Sequence, residues 1–419
     1  NMDMRPTARQ QELIDLAANL AREKFEPRAA ELDRDARFPF EDYDDLRKAG
    51  LLALCVPEAY GGLGGDLETY VLVVEQIAKG NAATALTFNM HCLTMLMMGE
   101  MADDYDMSEE QRARHEKHRA THFKEVVENG VFYGQPHSEP VEQGQTDTAF
   151  QVGGRRFGTR AEKIDGGYRV NGKKFFVSLS DSADYFATPA ILIGDAPWIE
   201  RTLYLKVPRE AEGVTFSGEW DPIGMRATVS RDMLLDDVFV PDEAEVLPAG
   251  VFGGLYLSAA AHGPMLFSAT FLGMMQRAYE YTLDYLTGGI EGASAKEDIG
   301  SVMSNGIADM LFKIESAKAL YYRATSEAKL KPTHEIRQRA RAAHIMVQRN
   351  CVEVAQEAIK VCGGRAILKR FPLERFLRDA QASSVMRPWT REIATEAVSE
   401  SAIRMAKRKN GTFAEEKKL

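Results

Sequence analysis

Two short stretches of the sequence carry side chains whose types and spacing suit metal or phosphate chemistry. His115, His118 and His122 recur at intervals of three and four residues, so a helix would place them on one face, as a metal site requires. Arginine, lysine and glutamate surround them, and we therefore expect a solvated helix face and no metal. The glycine-rich run 57–65 lacks the preceding strand and the later acidic residue of a dinucleotide-binding fingerprint, which argues against phosphate binding.

Two further stretches place hydroxyl groups beside a cation or an aromatic ring. Arg226, Thr228 and Ser230 follow one another in a turn that we predict between strands, where an arginine can hold a carbonyl, a phosphate or only a loop carboxylate. Phe176 and Ser178 combine an aromatic platform with a hydroxyl donor, which is what a flat ring needs for binding. The alternative for this pair is a strand with one core aromatic and a solvated serine.

The elements that position these residues fall into three zones, of which the first is helical. A first helix is expected to end near Pro27, a second covers 40–49, and a third covers 67–78 after the glycine-rich loop. The first helix shows the spacing of one buried face at Leu13, Leu16, Ala17, Leu20 and Ala21.

The middle zone, from about residue 130 to 247, has alternating apolar and polar residues. Asn171-Gly172 lies between 168–170 and 175–177 and is a strong hairpin signal, because a type I′ turn needs positive φ at both central residues. Further strands are predicted over 203–207 and over 233–240, where Pro241 ends the second. This zone is predicted to be a small antiparallel β-domain inserted between helical zones.

The third zone returns to helical periodicity and predicts a packed bundle. We therefore divide the chain into an N-terminal helical domain (1–129), a middle β-domain (130–247), a C-terminal four-helix bundle (248–407) and a polar tail (408–419). One long apolar stripe follows a near-heptad spacing, and it consists of Ala340, Ala343, Val347, Cys351, Val354, Ala358 and Val361.

Composition excludes several classes of protein. The chain has 419 residues, which is too long for a small disulfide-stapled module, and its net charge of -10 gives no basic footprint for nucleic acid. No apolar run is long enough to cross a bilayer, and the N-terminal residues do not resemble a secretory signal. The four cysteines are isolated in apolar patterns, so we expect reduced, buried thiols and a cytoplasmic protein.

Six segments in order give the chain a resemblance to the acyl-CoA dehydrogenase superfamily. The resemblance implies a mostly α fold with an inserted β-domain, FAD between the β-domain and the C-terminal bundle, and a homotetramer or homodimer whose neighbouring subunits complete each flavin site. It also implies an acyl-CoA or carrier-bound acyl substrate and an electron-transfer flavoprotein as acceptor. The segments are 50–62, 138–140, 170–178, 224–226, 236–241, and Gly363-Gly364 followed by Pro372 and Arg378-Asp379-Ala380.

The same resemblance assigns residues to the flavin. Gln135, His137 and Ser138 would lie at the isoalloxazine edge, and Phe176, Val177 and Ser178 would cover its face and bond its N5 side. Gly363 and Gly364 would let the backbone approach the partner's FAD. The substrate site would include His91, Gly144, Arg226 and Ser230.

The chain departs from the family at the catalytic base. Dehydrogenation of a thioester needs a carboxylate that removes the α-proton while a hydride leaves the β-carbon for the flavin. The two positions from which family members supply this acid hold Arg387 and Gly263 here. Glu392 and Glu142 are the nearest substitutes in sequence. The family's flavin-phosphate arginine is also missing from 285–292, so FAD binding is expected to differ in detail.

Three functions remain open from the sequence. The first is α,β-dehydrogenation of an acyl thioester with a relocated base. The second is a flavin monooxygenase or oxidase on the same fold, which needs no carboxylate base; His91 would favour it, but no second histidine occurs in 383–389. The third is a non-catalytic subunit that keeps the fold. His91 has the simpler interpretation of a satisfied core or cavity-lining histidine.

Overall fold

The computed structural model describes residues 5–139, 158–293, 295–386 and 390–411. It has the three-part organisation predicted above: helices, then a β-sheet, then helices. The N-terminal part consists of α1 (Ala8–Leu20), α2 (Glu26–Asp35), α3 (Phe40–Lys48), α4 (Leu67–Gly80), α5 (Ala82–Met98), α6 (Glu100–Asp103) and α7 (Glu109–Asn129).

The first helix does not end near Pro27, and that prediction is wrong. α1 begins with a capping box in which Thr7 and Gln10 satisfy each other's backbone N–H groups. It continues through a π-turn over Ala21–Phe25 into α2, whose first turn contains Pro27. Pro27 therefore lies inside a continuous helical segment, and the irregular π-turn just before it accompanies the backbone hydrogen bond that proline cannot make.

The three histidines of α7 do not form a solvated face, so this prediction is also wrong. His115, His118 and His122 are all buried, at 1%, 7% and 1% exposure. The Nε2 atoms of His115 and His122 lie 2.9 and 3.0 Å from the carbonyl oxygens of Met98 and Glu245. Arg119 is buried on the same side of the helix, whereas Lys117 and Lys124 are exposed, and the described residues contain no group of side chains able to hold a metal ion.

The middle part is a mixed sheet in which most neighbours are antiparallel. The strands that the structure describes are β1 (Tyr133–Gly134), β2 (Arg160–Ile164), β3 (Gly167–Val177), β4 (Tyr185–Leu192), β5 (Thr202–Pro208), β6 (Val214–Ser217), β7 (Arg231–Pro241) and β8 (Glu245–Leu247). Their order in the sheet is β6-β7-β3-β2-β4-β5-β8, and β1 pairs with β4 outside this order. The pairs β1–β4 and β2–β4 are parallel.

The Asn171-Gly172 hairpin is a further wrong prediction, because both residues lie inside the continuous strand β3. The pairing of β3 with β7 shifts register between Val170 and Gly172. At this bulge the Asn171 amide donates to the Asp237 carboxylate over 3.1 Å and accepts from its backbone N–H over 2.8 Å. The actual turn precedes β3 and joins it to β2 at Gly166, which has φ of 73°.

The C-terminal part is a bundle of long helices, and the apolar stripe predicted for α11 is confirmed. Its seven members are between 0% and 4% exposed. The four cysteines are free and buried, as expected. The helices are α8 (Phe252–Ser258), α9 (His262–Thr287), α10 (Ser301–Glu327), α11 (His334–Cys362), α12 (Leu373–Val385) and α13 (Arg391–Lys409).

The two helical parts pack closely against each other through α4 and α9. A Cβ on Gly273 would lie 2.2 Å from the carbonyl oxygen of Glu75, so only glycine permits this approach. The buried Tyr70 hydroxyl donates to the carbonyl of Leu266 over 3.0 Å. Within the described part of the chain, none of the helices is both long and apolar enough to cross a membrane.

Candidate functional site

A cavity of about 990 Å³ opens where the N-terminal helices, the sheet and the C-terminal bundle meet. One apolar wall comes from α5, through Leu86, Met90, Leu93 and Met97. Methionine suits a pocket for a flexible ligand because its side chain is unbranched and adaptable. The cavity is large enough for a ligand of drug-like size and lies at a junction of domains, where binding sites commonly form.

One side of the cavity is polar and contains Gln135, His137 and Ser138. The Gln135 side-chain amide donates to the hydroxyls of Thr94 and Tyr204, both over 3.0 Å. The Nε2 atom of His137 lies 3.2 Å from the same Tyr204 hydroxyl. Burial and the nearby positive charge of Lys174 lower the pKa of His137 to about 3, so its ring is neutral at ordinary pH. These groups offer neutral donors and acceptors to a ligand.

The end of β3 presents an aromatic ring to the cavity. Phe176 is 73% exposed and has φ of 50°, an unusual backbone conformation for a bulky residue. Val177 is fully buried behind it and does not line the cavity. The Ser178 hydroxyl lies 2.7 Å from that of Ser230, which lies 2.9 Å from that of Thr228. The structure therefore brings the predicted aromatic platform and hydroxyl donors together.

The loop from Gly224 to Ser230 forms another wall and is held by α12. A Cβ on Gly224 would lie 2.3 Å from the carbonyl oxygen of Arg378, so glycine is required. Met225 has φ of 51°, and its N–H donates to the Asp379 carboxylate over 2.6 Å. Burial raises the pKa of Asp379 to about 6 although this hydrogen bond opposes the change. Strained residues maintained by buried partners are frequent at functional sites.

Among the described residues that line the cavity, Glu139 is the one carboxylic acid. Its Oε1 accepts from Lys174 Nζ at 2.5 Å and from the Thr159 hydroxyl at 2.7 Å, and its Oε2 accepts from the Gly158 N–H. Burial alone would raise the pKa of Glu139, but the charge of Lys174 and these hydrogen bonds bring it below its usual value. Glu139 is thus a paired structural carboxylate and a weak base.

The residues considered for the catalytic base lie in different places. Gly263 lines the cavity, near the start of α9. Glu392 is exposed in the first turn of α13 and does not line the cavity. Arg387, Glu142 and Gly144 lie outside the described residues. Among the described residues that line the cavity, none is therefore a carboxylic acid available to act as the predicted base.

Two predicted substrate residues have their polar groups engaged away from the cavity. His91 is fully buried; its Nε2 lies 2.7 Å from the Leu52 carbonyl and its Nδ1 accepts from the Tyr133 N–H over 3.2 Å. Burial lowers the pKa of His91 to about 4. The Arg226 guanidinium bonds the Asp221 carboxylate over 2.6 Å and does not line the cavity, whereas Ser230 does. The core interpretation of His91 accounts for both ring nitrogens.

Gly363 and Gly364 lie away from the cavity, at the end of α11. Gly363 has φ of 86°, which favours glycine, and a Cβ at either position would meet nothing within 4 Å. The backbone here is therefore open to approach by another molecule. This geometry suits the predicted role toward a neighbouring subunit's cofactor, which stays a prediction.

Sequence reasoning missed three cavity residues: Arg337 and Arg341 on α11 and His262 at the start of α9. The signal was available, because two arginines four residues apart share a helix face, and Arg341 immediately follows the buried Ala340. Arginine on an amphipathic helix usually faces solvent, so this signal is weak without the fold.

Comparison with known families identifies the fold that builds this site. The family model described as "Acyl-CoA dehydrogenase, N-terminal domain" matches residues 7–131, and "Acyl-CoA dehydrogenase, C-terminal domain" matches residues 265–386. Together they match more than half of the chain. The chain belongs to the acyl-CoA dehydrogenase superfamily.

The proteins to which this chain is similar differ in the chemistry that their names describe. The chain is 27% identical over 391 residues to an acyl-CoA dehydrogenase of Bacillus subtilis, covering 91% of this chain and 95% of that one. Butyryl-CoA dehydrogenase from Megasphaera elsdenii superposes with a TM-score of 0.79 at 22% identity, covering 96% of this chain and all of the other. Dibenzothiophene monooxygenase from Paenibacillus sp. A11-2 superposes at 0.74 and 20% identity, covering 96% and 98%. The structural similarities establish the fold.

Proposed function

We propose that this protein binds FAD and oxidises an acyl thioester, carried by CoA or by a protein, in the cavity described above. The observation that carries the proposal is the continuity of that cavity, which joins the apolar α5 wall to the hydroxyl and amide groups around an exposed Phe176. An acyl chain needs the first surface, and a flat polar-edged ring needs the second. The acyl-CoA dehydrogenases named above support this assignment.

The residues present fit a flavin at the polar side of the cavity. Phe176 would cover one face of the ring, while Ser178 and Gln135 would direct hydrogen bonds at its polar edge. When bound, the flavin supplies a two-electron acceptor. The hydroxyls of Ser178 and Ser230 are already oriented by each other, which reduces the cost of ordering them around a ligand.

Dehydrogenation also requires a base, and this requirement limits the proposal. Glu139 is paired with Lys174, and Glu392 is exposed outside the cavity. Glu142, the remaining substitute, therefore becomes the acid to test first under this function. Substitution of Glu142 by glutamine should abolish reduction by substrate while leaving flavin binding intact.

A second function, oxidation that uses molecular oxygen, is favoured by the same shortage of a free acid among the described cavity residues. Such chemistry needs no carboxylate to remove an α-proton. The fold shared with the dibenzothiophene monooxygenase shows that this architecture accommodates oxygen-using enzymes. Under this function the apolar α5 wall would bind the substrate to be oxygenated.

The proposal includes partners beyond the substrate. In the dehydrogenase function, an electron-transfer flavoprotein would accept the electrons. A homotetramer or homodimer would place the open backbone of Gly363 and Gly364 against a neighbour's FAD. Exposed apolar side chains on α10 and α13, including Val302, Phe312 and Ile403, would be covered in such an assembly.

An anaerobic titration separates these functions. Purified protein loaded with FAD is mixed with a panel of acyl-CoAs while the absorption of the bound flavin is followed. Bleaching by one member is expected for the dehydrogenase. Bleaching only by an added flavin reductase, followed by oxygen-dependent conversion of an added substrate, would support the oxygen-using function. Protein that stays colourless after incubation with excess FAD would refute both and support a non-catalytic subunit.

A further inference from the structure

Three basic side chains line one region of the cavity that the proposed chemistry does not use. Arg337 and Arg341 lie one turn apart on α11, and His262 is the first residue of α9. Leu266 and Phe267 add apolar surface to the same cavity. A cationic group beside an apolar wall suits a ligand that is apolar along its length and anionic at one point.

The register of α11 against α9 shows that the arginine pair lies beside the first turns of α9. The N–H of Lys331 donates to the carbonyl of Ser258 over 2.9 Å, just before the two helices begin. Farther along both helices, the Ser268 hydroxyl and His344 Nδ1 are 2.7 Å apart. The two helices therefore run side by side in the same direction, and the arginines between these contacts flank the start of α9.

The arginine pair has few partners in the part of the chain that the structure describes. Arg337 donates to the Pro332 carbonyl through Nη2 over 3.5 Å, and neither arginine has a carboxylate within ion-pair distance there. The Nε atoms of both are buried without a hydrogen-bond partner. Burial, followed by repulsion from Arg337, lowers the pKa of Arg341. Both side chains are partly buried, and their unpartnered Nε–H groups lie out of reach of water, so two adjacent cations of this kind call for an anion.

His262 completes the group with an independent unsatisfied atom. It is 5% exposed, and among the described residues its buried Nδ1 has no hydrogen-bond partner. Burial lowers the pKa of His262 to about 4, so the ring is neutral and can donate one N–H to an acceptor. A ligand oxyanion would satisfy this donor and both guanidinium groups together.

We propose that Arg337, Arg341 and His262 form a subsite for an oxyanion carried by the substrate. This inference rests on the proposed function for the identity of the cavity, and it deepens that function: the substrate is an acidic acyl compound and not a plain fatty acyl chain. A carboxylate suits the site best, because the planar guanidinium fork binds carboxylates through two parallel hydrogen bonds. A phosphate is also an oxyanion and accepts the same hydrogen bonds, with a larger negative charge.

Calorimetric titration of the full chain, purified with its flavin, tests this subsite without relying on turnover. Glutarate probes a carboxylate, inorganic phosphate probes a phosphate, and the neutral isostere glutaramide controls for apolar contact. The proteins are the wild type, R337Q, R341Q and the matched control R349Q. Arg349 is on the same helix but is exposed, with its Nε 3.8 Å from Glu353.

We expect an oxyanion to bind the wild type and R349Q at least tenfold more tightly than R341Q or R337Q, with affinity falling as salt rises. Stronger binding of glutarate identifies the source as a carboxylate, and stronger binding of phosphate identifies it as a phosphate. Without ligand, R341Q should melt no lower than the wild type, because the substitution removes a partly buried cation that has no carboxylate partner in the described chain.

Three results would overturn the subsite. These results are binding of glutaramide as tight as that of glutarate, wild-type affinity of R341Q for both anions, and loss of flavin during purification of R341Q but not of the wild type. The last result would assign the arginines to the cofactor's phosphate. If the wild type itself holds no flavin, the proposed function fails, but the anion titration still reports on the arginines.

Discussion

Replacing Lys174 by methionine tests whether Glu139 is a structural carboxylate. Lys174 is fully buried, and its Nζ lies 2.5 Å from Glu139 Oε1 and 2.8 Å from the Pro189 carbonyl. At this separation the attraction is roughly 6–7 kcal/mol for an effective dielectric constant near 20, and desolvation of both groups offsets much of it. Removing the lysine alone leaves a buried charge, so we expect a loss of about 3–5 kcal/mol in the free energy of unfolding.

A double-mutant cycle measured by urea denaturation supplies the control. Glu139→Gln removes the charge and keeps one acceptor oxygen, which can serve the Thr159 groups, while its amide NH2 would face the Gly158 N–H, so the Lys174→Met/Glu139→Gln protein should recover part of the loss. The pKa of Glu139 is lower in the folded state than in the unfolded state. Ionised Glu139 therefore stabilises the folded protein above the unfolded-state pKa, and this stabilisation declines as pH falls. Unchanged stability of Glu139→Gln, together with loss of substrate oxidation, would refute this reasoning and make Glu139 a catalytic base.

Three further predictions concern other groups around the site. Burial raises the pKa of Glu75 to about 7 in the folded state, so the folded wild type loses stability as pH rises from about 4.5 to 7. Over that range, melting curves should show the free energy of unfolding of the wild type falling by about 3 kcal/mol relative to that of Glu75→Gln. Asp379→Ala leaves the Met225 N–H unpaired and should cost about 1–3 kcal/mol in urea denaturation, while Asp379→Asn should cost less. Phe176→Ala should change the unfolding free energy by less than about 0.5 kcal/mol because the ring is exposed, yet it should weaken flavin binding about three- to tenfold in fluorescence titrations. A larger loss of stability for Asp379→Asn than for Asp379→Ala would contradict the role of Asp379. A loss of stability with unchanged flavin binding in Phe176→Ala would contradict the role of Phe176.

Elements with a regular period could be predicted from the sequence. The stripe on α11 was identified because its apolar residues repeat over several turns and its burial follows directly from that repeat. The polar side of the cavity was identified by family resemblance, which located Gln135, Ser138, Phe176 and Ser178 together. Neither inference depended on knowing a long-range contact.

Two of the wrong predictions, the hairpin at Asn171 and the solvated histidine face, depended on contacts between distant parts of the chain. Asn171 has the residue type of a turn, but its amide is used by Asp237, 66 positions away. His122 has charged sequence neighbours, but its partner is the carbonyl of Glu245, 123 positions away. The local sequence cannot show which of two suitable interactions is realised, since tertiary partners decide between them.

The electrostatics of the cavity relate the missing acid to the arginine pair. Gly263 occupies a position from which the resemblance expects a catalytic acid, and it lines the cavity with Arg337 and Arg341. A glutamate there would have its pKa lowered by the guanidinium groups and would be a poor base. We therefore expect Gly263→Glu to occupy the anion subsite from within: glutarate affinity should fall at least tenfold, whereas Gly263→Gln, of matched size, should reduce it less. Calorimetry gives the affinities. The contrary result is that acyl-CoAs bleach the flavin of the Gly263→Glu protein while its glutarate affinity is unchanged. That result would show that the new acid acts as a base and that the arginines do not control this part of the cavity.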